Sequence, residues 1–463
     1  MRFNLAEALR ATGGRVYGGG DLDIEFAGLS TDSRGELTGM LFLALLGERF
    51  DGHDYIGAAA ERGALAAVVE KRAEDPVIPE IVVEDTLRAL GALGNMSRHK
   101  AGFKVGAVTG SFGKTSTKNL AVALLENAGE RVLGTKGNLN NLIGVPQTLL
   151  AATGAEEYAV VEAGISLPGE MSRLTSIIEP DVALITGVSA AHTEGLGSIA
   201  GVAAEKAQIV RGVTHGGTAV LPVKDKELIR RVHALRDDLK VVTFGWDSEA
   251  DYRGEAYTPR GVKGSTWAIA KREITLPLPG RHNALNALAA WALVNEMGVT
   301  PKEGPAPFGE EIDTGLRGTV VPGPNGSTLL VDCYNANPRA VEAALENLAE
   351  LAGNHRKLLL LGEMKELGSL SGDEHRKIGA LAVQRGVEEL FLVGPETLRA
   401  AEGASEAGLA ERSIKREYSF ERLADMLLRT LSKGDWLLIK GSRSNKLDII
   451  AGMLAEKTKQ AAR

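Results

Sequence analysis

Cysteine is almost missing from this chain: there is one, Cys333, in 463 residues. A single thiol closes no internal disulfide and makes no Cys-x-x-Cys metal site, and it fits a reducing compartment. Long apolar runs are missing too. The longest aliphatic stretch, Met40 to Leu46, is far shorter than the ~20 residues that cross a bilayer, and the opening MRFNLAEALR has no apolar signal core. A cytoplasmic protein without membrane insertion is expected. Positive charge is not in excess either: 53 basic and 60 acidic residues give a formal net charge of -7, which argues against nucleic acid as a partner. Low-complexity linkers and solenoid repeats are absent.

What remains is the composition of a soluble globular protein, with 44% hydrophobic and 24% charged residues, in a chain too long for one core. Three α/β domains are expected, over residues 1–100, 101–315 and 316–463. The first opens with Asn4 and Glu7 at capping-box spacing, which predicts a short helix ending at Gly13-Gly14. AAAERGALAAVVE reads as helix then strand. Two polar clusters in this domain, Ser30-Thr31-Asp32-Ser33-Arg34 and Gly47 to Asp54, have solvated loops as their ordinary reading. The third domain alternates strands and helices, with Asn337-Pro338 and a capping box from Ser371 to Glu374 as helix starts and a final helix from Asn445.

The centre of the chain is KVGAVTGSFGKTSTKNL, Lys104 to Leu120. An apolar strand, a glycine turn and a helix opening at Lys114 make a phosphate loop of the short TGxxGKT form. Its glycines let backbone amides close on phosphate oxygens, Lys114 supplies a point charge, and a hydroxyl of Thr115 or Ser116 suits Mg2+. The strand YAVVE carries Glu162 to the same sheet edge, and the loop after VALIT brings His192. Lys206 lies in a helical stretch where a lysine is ordinarily solvated. His282, Asn283 and Asn286 cluster at the start of a long helix, where capping explains only one of them. Residues Asp251 to Pro279 read as a small antiparallel section. The phosphate loop, Glu162 and His192 make a Mg-phosphate site over which Asp332 of the third domain can close. Transfer of a phosphoryl group to water, a hydroxyl or a carboxylate would use the same parts.

In that order, TGSFGKTSTK, TKGNLNNLIGVP, VVEAGISLPGEM, ITGVSAAHTEGLGS, LPGRHNALNALAA and VDCYNANP resemble the Mur ligases of peptidoglycan synthesis. DCYNANP, LGEMKELG and GERFDGHD are similar to the branch that adds D-alanyl-D-alanine. The resemblance implies an α/β protein of three domains: an N-terminal domain for the UDP-substrate, a central ATP-binding domain, and a Rossmann-like C-terminal domain that closes over ATP. It implies ATP and Mg2+ as cofactors, with UDP-N-acetylmuramoyl-tripeptide and D-alanyl-D-alanine as small-molecule partners of a monomer.

The same resemblance implies the site residues. Gly110, Ser111, Phe112, Gly113, Lys114, Thr115 and Ser116 would hold the phosphates, with His282, Asn283, Asn286, Arg317 and Asp332 completing the ATP site. Catalysis would fall to Lys114, His192, Lys206 and Arg317, and metal binding to Thr115, Ser116, Glu162, His192 and Lys206, the last as a carbamate. Ser30, Asp32, Ser33, Arg34, Arg49, Asp51, Asn140, Asn141, Tyr334, Asn335 and Asn337 would contact the substrates. The chain departs from the family pattern at Phe112, where Asn is common, at Pro222-Val223-Lys224-Asp225, and at Glu363, where Asp is frequent. A ligase adding a single amino acid, a folylpolyglutamate-type ligase and a nucleotide-binding regulator are the other readings.

Overall fold

In the strand Lys104–Thr109, alternate side chains enter different cores: Val105 and Ala107 pack on one face of the sheet and Val108 on the other. A strand covered on both faces reads as a continuous apolar run, which is the mark of a parallel sheet wrapped by helices. The computed structural model describes all residues except 20, 48–49, 303–306, 310–311, 313–314 and 462–463, together with the side chains of 459–461. Arg49 lies outside the described residues.

The central sheet has nine strands. Its spatial order is Val132–Gly134, Tyr158–Glu162, Lys104–Thr109, Val182–Ile185, Thr218–Pro222, Lys240–Gly245, Tyr252–Pro259, Ser265–Ile269 and Arg272–Leu276. Pairing is parallel as far as Tyr252–Pro259 and antiparallel beyond. The section expected over Asp251 to Pro279 thus extends the main sheet. Helices Lys114–Ala128 and Arg281–Glu296 cover one face; Gly144–Leu150, Glu170–Ile178 and Lys226–Leu235 cover the other. Strand order reverses on either side of Lys104–Thr109, which opens a crevice at the strands' carboxyl ends.

Ahead of it, a five-stranded sheet runs Arg15–Tyr17, Glu80–Val82, Ala66–Val69, Met40–Leu43, Gly28–Ser30. Helix Leu5–Thr12 carries the expected capping box and stops at Gly13 (φ 65). Helix Thr86–Ala101 ties this sheet to the central domain: Ser97 Oγ donates to Leu149 O at 2.8 Å and Arg98 pairs with Asp181 at 3.2 Å.

The six strands of the third sheet run Thr319–Pro322, Thr328–Asp332, Trp436–Lys440, Lys357–Gly362, Val387–Val393, Ile414–Arg416, all parallel after an antiparallel first pair. Asn337 caps Pro338–Ala352 through its side chain, with Pro338 in the first turn. Ser371 does not form a capping box. The 3-10 turn Gly368–Leu370 runs straight into helix Ser371–Gln384, so Ser371 is already helical and its Oγ bonds to Glu396 at 2.9 Å. The last helix begins at Leu447, because Asn445 spends its side chain on Glu363, accepting from its N and donating to its O at 3.0 Å each.

Candidate functional site

The phosphate loop leaves its strand at Gly110 (φ 149), where a β-carbon would stand 1.9 Å from Thr186 Oγ1. Gly113 (φ 72) precedes helix Lys114–Ala128, which has no side-chain cap, so the amides of its first turn stay available to an anion. Neighbouring loops fix the turn. Ser189 N donates to Ser111 Oγ at 3.1 Å, and Thr186 Oγ1 donates to Phe112 O. The ring of Phe112 lies against Gly187, so the residue in the departing position packs while its backbone faces the cleft. Lys114 Nζ donates to Gly110 O at 2.9 Å. Burial pushes this ammonium below the usual lysine range, opposed by Glu162 and reinforced by Arg317.

Glu162 stands opposite Val108 in the parallel ladder, which brings its carboxylate beside the loop. Asn140 Nδ2 donates to Oε1 at 2.8 Å, whereas Oε2 is buried without a hydrogen-bond partner. Asn141 instead turns the chain into helix Gly144–Leu150, accepting from Gly144 N at 2.9 Å. Lys206 overturns its ordinary reading. On helix Ile199–Ala207 it is 0% exposed, and its Nζ has no partner. Burial holds its pKa well below the lysine range, and Lys114 adds to the shift.

Among the described residues no three His, Cys, Asp or Glu side chains gather as a cation site. His192 Nδ1 is hydrogen-bonded to Glu366 Oε2 of the third domain.

The third domain also reaches the loop. Asn337 Nδ2 donates to Ser111 O at 2.9 Å, and Arg317 Nη2 donates to Thr115 Oγ1 at 3.3 Å. The Arg317 guanidinium lies 3.8 Å over the Tyr334 ring. Asp332, at the end of its strand, pairs with buried Lys440 at 3.0 Å; Lys440 Nζ also donates to Asn335 O at 2.7 Å. Burial lowers His282 to about 4 against the pull of Asp332, so the ring is neutral. None of the three polar residues at that helix start is its cap, which is Gly280. Asn283 Nδ2 donates back to Pro279 O at 2.8 Å, and Asn286 Oδ1 lies against Gly113.

Between the domains lies a cleft of ≈ 710 Å³, lined by Ser111 to Ser116, Asn140, Glu162, His282, Asn283, Asn286, Arg317, Asp332, Tyr334, Asn335 and Asn337. Sequence reasoning missed Lys440, Arg281, Trp246 and Asn347, which line it too. Lys440 had a signal, since it ends the apolar strand of DWLLIKGS where charge has no structural need. Val223, Lys224 and Asp225 also line it, and Asp225 caps helix Lys226–Leu235. Glu363 accepts from Glu396 N at 3.0 Å.

The N-terminal candidates lie elsewhere. Arg34 grips Asp32 in two bonds, at 2.9 and 2.7 Å, and holds that carboxyl well below its usual range, although both side chains are exposed. Ser30 Oγ accepts from Asp32 N at 3.1 Å, and Ser33 is buried. Asp51 pairs with His53 Nδ1 at 2.6 Å, while His53 Nε2 accepts from Glu70 N at 2.9 Å. Gln147 Nε2 links this loop region to the central domain through Thr31 Oγ1 at 3.0 Å.

Family models match along this whole layout: the Mur ligase family catalytic domain over residues 25–98, the Mur ligase middle domain over 108–294 and the Mur ligase glutamate ligase domain over 316–443. The UDP-N-acetylmuramoyl-tripeptide--D-alanyl-D-alanine ligase of Escherichia coli is 36% identical over 94% of this chain and 95% of its own. The chain belongs to the Mur ligase family. Among solved Mur ligases, MurF from Acinetobacter baumannii superposes with a TM-score of 0.90 at 29% identity, covering 99% of both chains. MurF from Thermotoga maritima in complex with ADP gives 0.81 at 25% identity, covering 94% of this chain and 98% of that one. As a Mur ligase, the chain has its phosphate loop, Glu162 and Lys206 on the middle domain, and Arg317 and Asp332 on the domain that follows.

Proposed function

We propose that this Mur ligase joins D-alanyl-D-alanine to UDP-N-acetylmuramoyl-tripeptide at the cost of ATP, as a cytoplasmic monomer. The observation that carries the reading is its end-to-end likeness to ligases named for that reaction, through all three domains. The interdomain cleft has the parts such a reaction needs.

A carboxylate resists nucleophiles and must first be activated. Its oxygen bonds to the γ-phosphorus of ATP as the bond to ADP breaks. The dipeptide amine then attacks the acyl carbon and gives up a proton, and phosphate leaves. Gly110 to Ser116 hold the phosphates by their amides, and Lys114 and Arg317 draw charge off the transferring group. A phosphate beside Lys114 favours the charged ammonium that burial disfavours. Asp332, held in place by its pair with Lys440, accepts from a ribose hydroxyl, and His282, Asn283 and Asn286 flank the nucleotide. Seating the third domain on Ser111 and Thr115 excludes water that would hydrolyse the acyl phosphate.

The residues present fit Mg2+. Glu162 offers a buried carboxylate oxygen with no partner, and Thr115 and Ser116 add hydroxyls. Lys206 has an orphaned amine whose pKa burial lowers, favouring the neutral form, which adds CO2 and releases a proton to become an anionic carbamate. With His192, these residues would hold Mg2+, which when bound neutralises charge on the phosphate oxygens. Ser30, Asp32, Ser33, Arg34, Arg49 and Asp51 are assigned to the UDP-sugar end. Tyr334, Asn335 and Asn337 are assigned to the incoming dipeptide, and Asn140 and Asn141 to the tripeptide side.

The test supplies purified protein with ATP, UDP-N-acetylmuramoyl-tripeptide and D-alanyl-D-alanine, following phosphate release and product mass. Phosphate is expected only with both acceptor and dipeptide, together with the mass of the pentapeptide. ATP turnover without a new amide, or equal turnover with single amino acids, overturns the reading. Lys114→Ala should lower the rate ~10²- to 10³-fold.

A further inference from the structure

His192 (φ 59) and Glu366 (φ 63) both have left-handed backbone, they belong to different domains, and they touch. That conformation is unfavourable for side chains with a β-carbon and persists only where surroundings impose it, commonly at functional sites. Here both sides impose it. From the central domain, Ala190 is buried in the third domain's core, Thr193 Oγ1 donates to Leu367 O at 2.9 Å, and Glu194 N donates to Glu366 O at 3.1 Å. From the third domain, Met364 N is held by His375 Nε2 and Lys365 N by Ser442 Oγ, each at 3.0 Å. Glu366 is therefore delivered by a hydrogen-bonded turn. An incidental surface ion pair is worth little and would not sustain two strained residues.

We infer that Glu366 is a positioning residue for His192, completing the cation site only when the third domain is seated. The carboxylate accepts Nδ1–H, which fixes the tautomer and leaves the Nε2 lone pair available to a divalent cation. A ligating histidine commonly presents its other N–H to a carboxylate. What is new is the source of that carboxylate: another domain supplies it, so closure and assembly of the site become one event. The inference rests on the reading of His192 as a cation ligand.

The experiment measures Mn2+ bound by the full chain in the presence of ADP, from the electron paramagnetic resonance signal of free Mn2+. Thermal unfolding of each variant establishes that it is folded. Glu366→Ala should weaken Mn2+ binding ~10- to 100-fold, and His192→Ala at least as much. The double variant should be no weaker than His192→Ala alone, because Glu366 acts only through the ring. Glu366→Gln, whose amide oxygen still accepts Nδ1–H, should retain most of the affinity. Glu366→Gly relieves the left-handed backbone, so its unfolding midpoint should rise while Mn2+ binding falls. Wild-type Mn2+ binding by both Glu366→Ala and Glu366→Gly, or losses that multiply in the double variant, overturns the inference alone. Unchanged binding in His192→Ala overturns the cation role of His192 and the inference with it.

Discussion

Lys206 keeps an amine in the last turn of its helix, shut off from solvent and without a hydrogen-bond partner. Such a group lowers stability, because a buried donor left unsatisfied forfeits its hydration, at a cost of about 1–3 kcal/mol. Replacing it with a thioether of similar length removes the cost. Lys206→Met should therefore raise unfolding free energy by about 1–3 kcal/mol in CO2-free buffer, measured by denaturant titration, while abolishing ligation. A variant that is less stable and inactive would instead make Lys206 a packing residue. None of this was legible in GVAAEKAQIV, where a lysine looks like any other on a helix. Its burial comes from what helices Glu170–Ile178, Thr193–Leu196 and Lys226–Leu235 place against that helix. Asp332 and Glu162 were easier to find, because a carboxylate ending an apolar strand stands out locally.

Elements with a local signature were equally plain. Asn4 and Glu7 cap each other's turn at 2.9 Å in both directions, so the pattern is complete within four residues. Asn4→Ala should cost ~1 kcal/mol in unfolding free energy. The Ser371 pattern has the same spacing and fails, because the turn before it decides whether that residue lies outside or inside the helix. That helix holds His375, fully buried, with Nε2 accepting from Met364 N at 3.0 Å and Nδ1 facing Ser371 O at 2.8 Å. Burial pushes its pKa below the ordinary value, against the pull of Ser371, Glu396 and Glu363, so the folded chain binds fewer protons here than the unfolded one. Its contribution to stability is present above the unfolded histidine value of about 6.5 and is lost as pH falls below it. Unfolding free energy measured between pH 7 and 5 should drop in the native chain and drop less in His375→Gln; equal slopes would remove His375 from the account.

Across the whole molecule, the two domain seams differ in kind. Helix Thr86–Ala101 presses backbone to backbone on the central domain, since a β-carbon on Gly94 would stand 2.7 Å from Pro146 Cα. The third domain meets the second through side-chain tips such as Asn337 and Arg317, and comes backbone to backbone only at the turn where Glu194 N donates to Glu366 O among the contacts described. Calorimetry should accordingly resolve two transitions, one for the first two domains together and one for the third. ADP at a hundred times its dissociation constant should add about 2.7 kcal/mol of stability, and Arg317→Ala should lose most of that gain. A single transition that moves as one body with ADP would mean the seams are alike. The order of the domains could be read from motif sequence, but not the tightness of their contacts, which depends on residues far apart in the chain. The unequal seams also say where this protein can be recombined. A chimera that keeps the first two domains and takes its third from a relative has to re-match a few polar tips and the one turn around Glu366 that seats Ala190, and should fold; one cut inside Thr86–Ala101 would have to rebuild a close-packed joint along a whole helix and should not.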